Sequence, residues 1–341
     1  MADGFRPERV AENLNRALHA VLAKDPRAWV LGEDVADPYG GAFKISKGLS
    51  SRFPGRVITT PISEAGIVGV AGGLALSGDH PIVEIMFGDF VGLGFDPILN
   101  FLTKSVAMYG RRVPMHVVVR CPVGGNRGYG PTHSQSPQKH LIGVPHLGLY
   151  ELSPFHDSIA LLDRLLENGE PSVLFENKVL YTERTFVDGV VDDLFSYDFP
   201  ASRDGYARVF IEDPGTADVV LIAPGGLASR VLSAARLLFL RHEINCQVIV
   251  PVQLYPFDVG SLPPILAKAG QVVVVEEGTA GGGWGTEVAA GLYPLLWGQL
   301  NQPIRLVTSR DSVIPAARHL EDEVLVQSDT VYRAVLETAG V

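Results

Sequence analysis

Short runs rich in β-branched residues alternate with helix-periodic stretches along most of the chain, and this alternation constrains the fold more than any other feature. Trp29-Val30-Leu31, Ile82-Val83-Glu84-Ile85, His116-Val117-Val118-Val119 and Ser172-Val173-Leu174-Phe175 have the length and composition of buried strands. Between them, 66–77, 94–109 and 157–167 read as helices, the last with Ile159, Leu162, Leu165 and Leu166 on one face. Strands separated by helices pair in parallel, and a parallel sheet needs cover on both faces. The fold class expected is therefore α/β, doubly wound.

The pattern breaks at 183–204, which is polar, Asp-rich and without periodicity. A second α/β series follows: a strand at Asp218–Ala223, a helix over 226–241, and strands at Gln247–Val250 and Gln271–Val275. A length of 341 residues fits two domains. The boundaries expected are a first domain over 1–190, a linker over 191–203 and a second domain over 204–341. No fixed-period sequence repeat connects the halves.

Composition narrows the function classes. At 46% hydrophobic and a net charge of −10, the chain has too much apolar content for a disordered protein. No apolar run approaches the roughly 20 residues of a membrane helix. An acidic chain without a basic run is poorly suited to nucleic acid or an anionic membrane. Cys121 and Cys246 are far apart and belong to no zinc-spaced cluster, so buried free thiols in a reducing compartment are expected. Near the N-terminus, Val10, Leu14, Ala17, Leu18, Val21 and Leu22 follow a helical period rather than forming a signal-peptide core, which makes cytoplasm the expected location.

The strongest constellation of chemistry-bearing residues runs from Pro61 to Phe90. Glu64 follows Pro61-Ile62-Ser63 and opens a Gly-rich helix, where the helix N-terminus stabilises an anion. Alone, such a Glu is a first-turn charge, and the glycines at 66, 69, 72 and 73 lack the spacing of a phosphate-cradling loop. Further groups continue in order: Glu84-Ile85-Met86-Phe87-Gly88-Asp89-Phe90, Arg120 to Gly125, Thr132-His133-Ser134-Gln135-Ser136, Leu174 to Asn177, Val275 to Glu287 and Ile314 to Asp322.

This ordered set, covering nearly the whole chain, resembles thiamine-diphosphate enzymes. It resembles most specifically the pyruvate dehydrogenase-like β subunit of the decarboxylating component of 2-oxoacid dehydrogenase complexes. The resemblance implies an N-terminal pyrimidine-binding domain and a C-terminal transketolase-like domain. Glu64 then matches the carboxyl group that exchanges a proton with N1′ of the aminopyrimidine, the first step toward losing the proton at C2 of the thiazolium. Ile62, Met86 and Phe90 match positions that contact the cofactor. His133 matches the family's active-site His, which orients substrate or stabilises the oxyanion formed on a carbonyl. The carbonyls of Val117, Leu165, Leu166 and Asn168, with Glu170, fall where some relatives hold a monovalent cation such as K⁺.

The Gly-Asp-Gly that marks the Mg²⁺ and diphosphate half of such sites is missing; Gly78-Asp79-His80 and Gly88-Asp89-Phe90 come nearest. The resemblance therefore implies a separate α subunit carrying Mg²⁺ and the diphosphate clamp, in an α₂β₂ heterotetramer. Two segments depart from the family pattern. Gly143 and His146 stand where a His and a Gly are usual, and Pro251-Val252-Gln253-Leu254-Tyr255 replaces a segment with an acid and a base. Decarboxylation of a 2-oxoacid with acyl transfer to lipoamide is the first expectation. The alternative is a two-component transketolase-like enzyme passing a two-carbon or acyl unit to a small molecule. Retention of both Glu64 and His133 weighs against a non-catalytic scaffold. The second domain has nine Lys and Arg against fifteen Asp and Glu, a charge that suits either solvated helix faces or docking of a basic lipoyl acyltransferase core.

Overall fold

A computed structural model describes residues 7–339; residues 1–6 and 340–341, the outer ends of the two expected domains, lie outside it. The first sheet contains β1 (Ala28–Gly32), β2 (Val57–Thr59), β3 (His80–Glu84), β4 (Val118–Val123), β5 (Gly148–Glu151) and β6 (Ser172–Asn177). All six run parallel, in the order β5-β6-β4-β3-β1-β2. The second sheet takes β7 (Ser196–Asp198), β8 (Tyr206–Phe210), β9 (Val219–Ile222) and β10 (Cys246–Pro251). Next in the chain, β11 (Gln253–Tyr255) leaves that sheet and pairs antiparallel with β5 at the edge of the first. With β12 (Gln271–Thr279) and β13 (Arg305–Ser309), the second sheet is ordered β13-β12-β9-β10-β8-β7. Its first four strands are parallel, and β8 and β7 are antiparallel.

Two stretches differ in detail from the sequence reading. Ser196–Asp198, inside the polar 191–203 segment, is edge strand β7: Tyr197 turns into the core while Asp198 accepts two hydrogen bonds from Arg208 of β8. One buried aromatic among polar neighbours suffices at an edge that solvent covers on one side. The 94–109 stretch is not one continuous α-helix. It passes from a 3₁₀ turn over Gly88–Gly94 through a π-helical turn over Pro97–Leu102 to a short α turn over Thr103–Ser105. Pro97, which has no N–H to donate, stands at the start of the π turn.

Burial explains the alternation. On one face of the first sheet, Leu14, Leu18 and Leu22 of the Val10–Lys24 helix pack with Leu162 and Leu165 of the Ser158–Glu167 helix. The opposite face, through Val83, Val119 and Phe175, is continuous with Ile222, Val274 and Trp284 of the second half. The Trp284 indole donates to the Leu254 carbonyl in β11 at 3.0 Å, so the crossover strand and the shared apolar layer fix the halves together. Cys121 and Cys246 are buried free thiols, and burial pushes the Cys246 thiol up to about 12. Among the described residues no helix is long and apolar enough to cross a membrane.

Candidate active site

In a parallel sheet all strands point their carboxyl ends the same way, and ligands gather at that edge. Here β1, β3 and β4 are neighbours, so Glu33 after β1, Met86 after β3 and the loop after β4 emerge together. Glu64 opens the Glu64–Leu76 helix, whose N-cap Ser63 accepts a hydrogen bond from the Gly66 amide at 3.3 Å. The Glu64 side chain is buried at 6% exposure, whereas Ile62, two residues before it, is 82% exposed. A sequestered carboxyl thus lies two residues from an apolar side chain that this chain leaves exposed.

The Gly88–Gly94 turn packs against this helix: a Cβ at Gly94 would stand 3.3 Å from Val68 and 3.7 Å from the Glu64 carbonyl. That close approach packs the turn carrying Asp89 and Phe90 against the Glu64 helix. His133 joins them from the loop after β4. Its ring stands edge-on to Phe87, with centroids 4.6 Å apart, and to Phe90 at 5.3 Å. Thr132 Oγ1 lies 2.9 Å from His133 Nδ1, a contact that fixes the ring's rotation. Met86 is half-buried where the chain leaves β3. The structure therefore groups Phe90 with His133 by direct contact, and sets the Glu64 helix against the turn that carries Phe90.

Three polar groups at this edge were not singled out from the sequence. Glu33 is buried with Oε1 unpartnered; burial and the nearby Glu64 and Asp34 charges push its carboxyl up. Asp89 Oδ1 accepts from the Gln135 amide and side chain at 3.2 and 2.9 Å, while Oδ2 is buried without a partner. Lys178, fully buried, holds its ammonium 5.7 Å from the Phe87 ring centroid with no hydrogen bond. Burial lowers it to about 8, against the opposing pull of the Asp89 and Glu277 charges. The only sequence signal for Glu33 was an acid directly after a strand; for Lys178 there was none.

Three of the five groups matching a cation site have partners within the protein. The Val117 carbonyl accepts from the Ser172 amide, and the Leu166 carbonyl lies 2.5 Å from His116 Nδ1. Glu170 pairs with Arg112 at 2.8 Å and with His146 at 3.1 Å. The Val117 and Leu166 carbonyls and the Glu170 carboxylate thus each have a partner within the protein. His146, one of the departures from the family pattern, is thereby held against Glu170. A cavity of about 690 Å³ lined by Phe155, His156, Arg164 and Phe199 includes neither Glu64 nor His133.

Fold and site together define a protein of the transketolase class. The transketolase pyrimidine-binding domain matches residues 9–183 and the transketolase C-terminal domain matches 207–331. The pyruvate dehydrogenase E1 component subunit beta of Leifsonia xyli is 33% identical over 94% of this chain and 92% of its own length. The beta subunit of the acetoin:2,6-dichlorophenolindophenol oxidoreductase of Bacillus subtilis is 30% identical over 97% of each chain. A solved structure described as a split-gene transketolase in an inactive β4 tetramer superposes with a TM-score of 0.69 at 21% identity, covering 96% of both chains. The chain belongs to the family of pyruvate dehydrogenase-like E1 β subunits of thiamine-diphosphate-dependent 2-oxoacid dehydrogenases.

Proposed function

We propose that this chain is the catalytic β subunit of an α₂β₂ heterotetramer that decarboxylates a 2-oxoacid and passes the acyl unit to lipoamide. The observation that carries the reading is a buried Glu64 two residues from the exposed Ile62 side chain, on the helix packed against the turn that joins Phe90 to His133. These residues fit one half of a thiamine diphosphate site. Glu64 would face the aminopyrimidine, with Ile62, Met86 and Phe90 as its apolar contacts. When bound, thiamine diphosphate supplies an acidic carbon that adds to a ketone and stores the electrons released with CO₂. The α partner would supply the Mg²⁺ and diphosphate contacts.

The chain's own contribution is positional and protonic. Burial keeps water from the Glu64 carboxyl, which would then hydrogen-bond to the aminopyrimidine and not to bulk solvent. Phe87 and Phe90 wall one side of His133, leaving its free edge to donate to an oxygen that gains charge during addition to a carbonyl. The buried free thiols fit a reducing, cytoplasmic setting.

The test is Glu64→Gln in the assembled enzyme, followed by NMR of proton exchange at C2 of thiamine diphosphate. Exchange is expected to fall almost to the level of free cofactor with the assembly intact; unchanged exchange would sink the assignment. Purified alone, the chain should not bind the cofactor tightly with Mg²⁺. A second reading, a two-component transketolase-like transferase, draws on the departures at Gly143, His146 and Pro251 to Tyr255. Acylation of a lipoyl domain by the αβ pair supports the first reading, and transfer to a free aldehyde or ketone supports the second.

A further inference from the structure

His133 lies on a loop that the second domain holds at both ends. After β4 the chain enters left-handed backbone at Gly124, Asn126, Gly128 and Gly130, with φ of +86°, +64°, +69° and +75°. Such a path forms no helix or strand of its own, so its amides must find acceptors elsewhere. The Gly124 amide donates to the Gln135 carbonyl at 3.0 Å and closes the base of the loop. Acceptors for three more of its amides come from across the domain boundary. Glu321, 1% exposed in the Arg318–Val324 helix, accepts from the Asn126 amide through Oε1 at 2.8 Å and from the Gly128 amide through Oε2 at 3.1 Å. Glu277 in β12 accepts from the Gly125 amide through Oε1 and from the Ser136 hydroxyl through Oε2, both at 3.4 Å.

Packing reinforces the same grip. A Cβ at Gly125 would stand 2.2 Å from Leu325, and at Gly128 3.3 Å from the Ala316 carbonyl, so the loop lies directly on the 316–325 segment. Hydrogen bonds from backbone amides to an ionised carboxylate are among the stronger polar contacts, and here one carboxylate uses both oxygens on amides two residues apart. With that carboxylate removed, both part-buried amides lose their acceptor while Asn126 still needs its left-handed conformation.

We infer that Glu321 is a positioning residue: from the second domain it sets the 124–137 loop and so the placement of His133 against Phe87 and Phe90. The inference rests on the reading of His133 as an active-site residue. It also gives the second domain a part in the chemistry distinct from docking a partner.

The experiment compares Glu321→Ala, Glu321→Gln, His133→Ala and the double variant Glu321→Ala/His133→Ala in the complex with the α partner. It reads kcat and KM for the 2-oxoacid, together with hydrogen exchange at the Asn126 and Gly128 amides. Glu321→Ala is expected to lower kcat about 10- to 100-fold with KM little changed, because a misplaced catalytic group loses orientation. The double variant should be no slower than His133→Ala, and both amides should exchange faster. Unchanged exchange, full kcat, or a loss that adds in full to that of His133→Ala would each overturn the proposal. If Glu321→Ala does not fold, Glu321→Gln keeps the volume and one accepting oxygen; it should free one amide and give a smaller kcat loss, and no change in either would be fatal. Full activity in His133→Ala would instead remove the catalytic reading of that residue, while the exchange data still decide whether Glu321 holds the loop.

Discussion

Arg120 and Glu176 meet in the interior of the first sheet through two parallel hydrogen bonds, Nε to Oε1 at 2.6 Å and Nη2 to Oε2 at 2.9 Å, with both side chains fully buried. The remaining donor, Nη1, reaches Glu84 Oε2 at 2.9 Å, and the Tyr181 hydroxyl donates to Glu176 at 2.7 Å. One guanidinium therefore serves two buried carboxylates, and burial pushes the Glu84 carboxyl up despite it. Arg120→Met would leave both carboxylates without their counter-ion. The expected cost is about 3–5 kcal/mol, seen as a lower urea midpoint at unchanged slope. Arg120→Lys should recover little, because an ammonium cannot span the two-point contact with Glu176.

Glu151 gives a pH signature. It is 2% exposed, accepting from the Gly226 amide and from Gln138, both at 2.9 Å, and burial raises its carboxyl to about 7. A carboxyl raised above its unfolded value of about 4.5 contributes stability that is fully present below pH 4.5 and is lost as pH rises through 7. The wild type should thus lose on the order of 3 kcal/mol from this group between pH 4.5 and 8. Glu151→Gln should flatten that part of the curve and be the more stable form at pH 8, as read from urea titrations across the range. The reverse order at pH 8 would contradict the burial argument.

Much of this was legible in the sequence because the signals are local. Strand–helix alternation announces a parallel sheet, and Glu64, Phe90 and His133 sit in short ordered motifs that the fold brings to one edge. The antiparallel β11 was not legible: Gln253-Leu254-Tyr255 reads as a tail of β10, and its partner β5 lies about a hundred residues earlier. The grip of Glu321 on the His133 loop was hidden for the same reason, since 195 residues separate Glu321 from Asn126. Lys178 follows an ordinary strand in an ordinary way, and only packing shows that its ammonium has no hydrogen-bond partner. Local chemistry is written in the sequence; which distant residues meet depends on how the sheets are ordered.

Lys178 shifts stability in the opposite sense to Glu151. Burial depresses it to about 8 from an ordinary 10.5. Its favourable contribution is therefore fully present above pH 10.5 and is lost as pH falls through 8. Lys178→Met should abolish the rise in stability that the wild type shows between pH 8 and 10.5, with little change in far-UV circular dichroism. A variant that keeps the same rise would place its origin in another group.

Gly72 and Gly69, one turn apart on the Glu64 helix, separate packing from propensity. A Cβ at Gly72 would stand 2.3 Å from the Phe101 ring and 2.9 Å from Leu102, whereas a Cβ at Gly69 would meet nothing within 4 Å. Alanine improves helix propensity by about 1 kcal/mol at either site. At Gly72 the gain is outweighed by overpacking, which costs about 1–3 kcal/mol where the neighbours cannot give, and Phe101 is held by the π-helical turn behind it. Gly72→Ala is thus expected to destabilise the isolated chain, and Gly69→Ala to stabilise it by up to about 1 kcal/mol. Thermal unfolding of the two variants checks the order. Because this helix begins at Glu64, Gly72→Ala should also weaken C2-proton exchange in the assembled enzyme: moving the helix off Phe101 moves its first carboxyl.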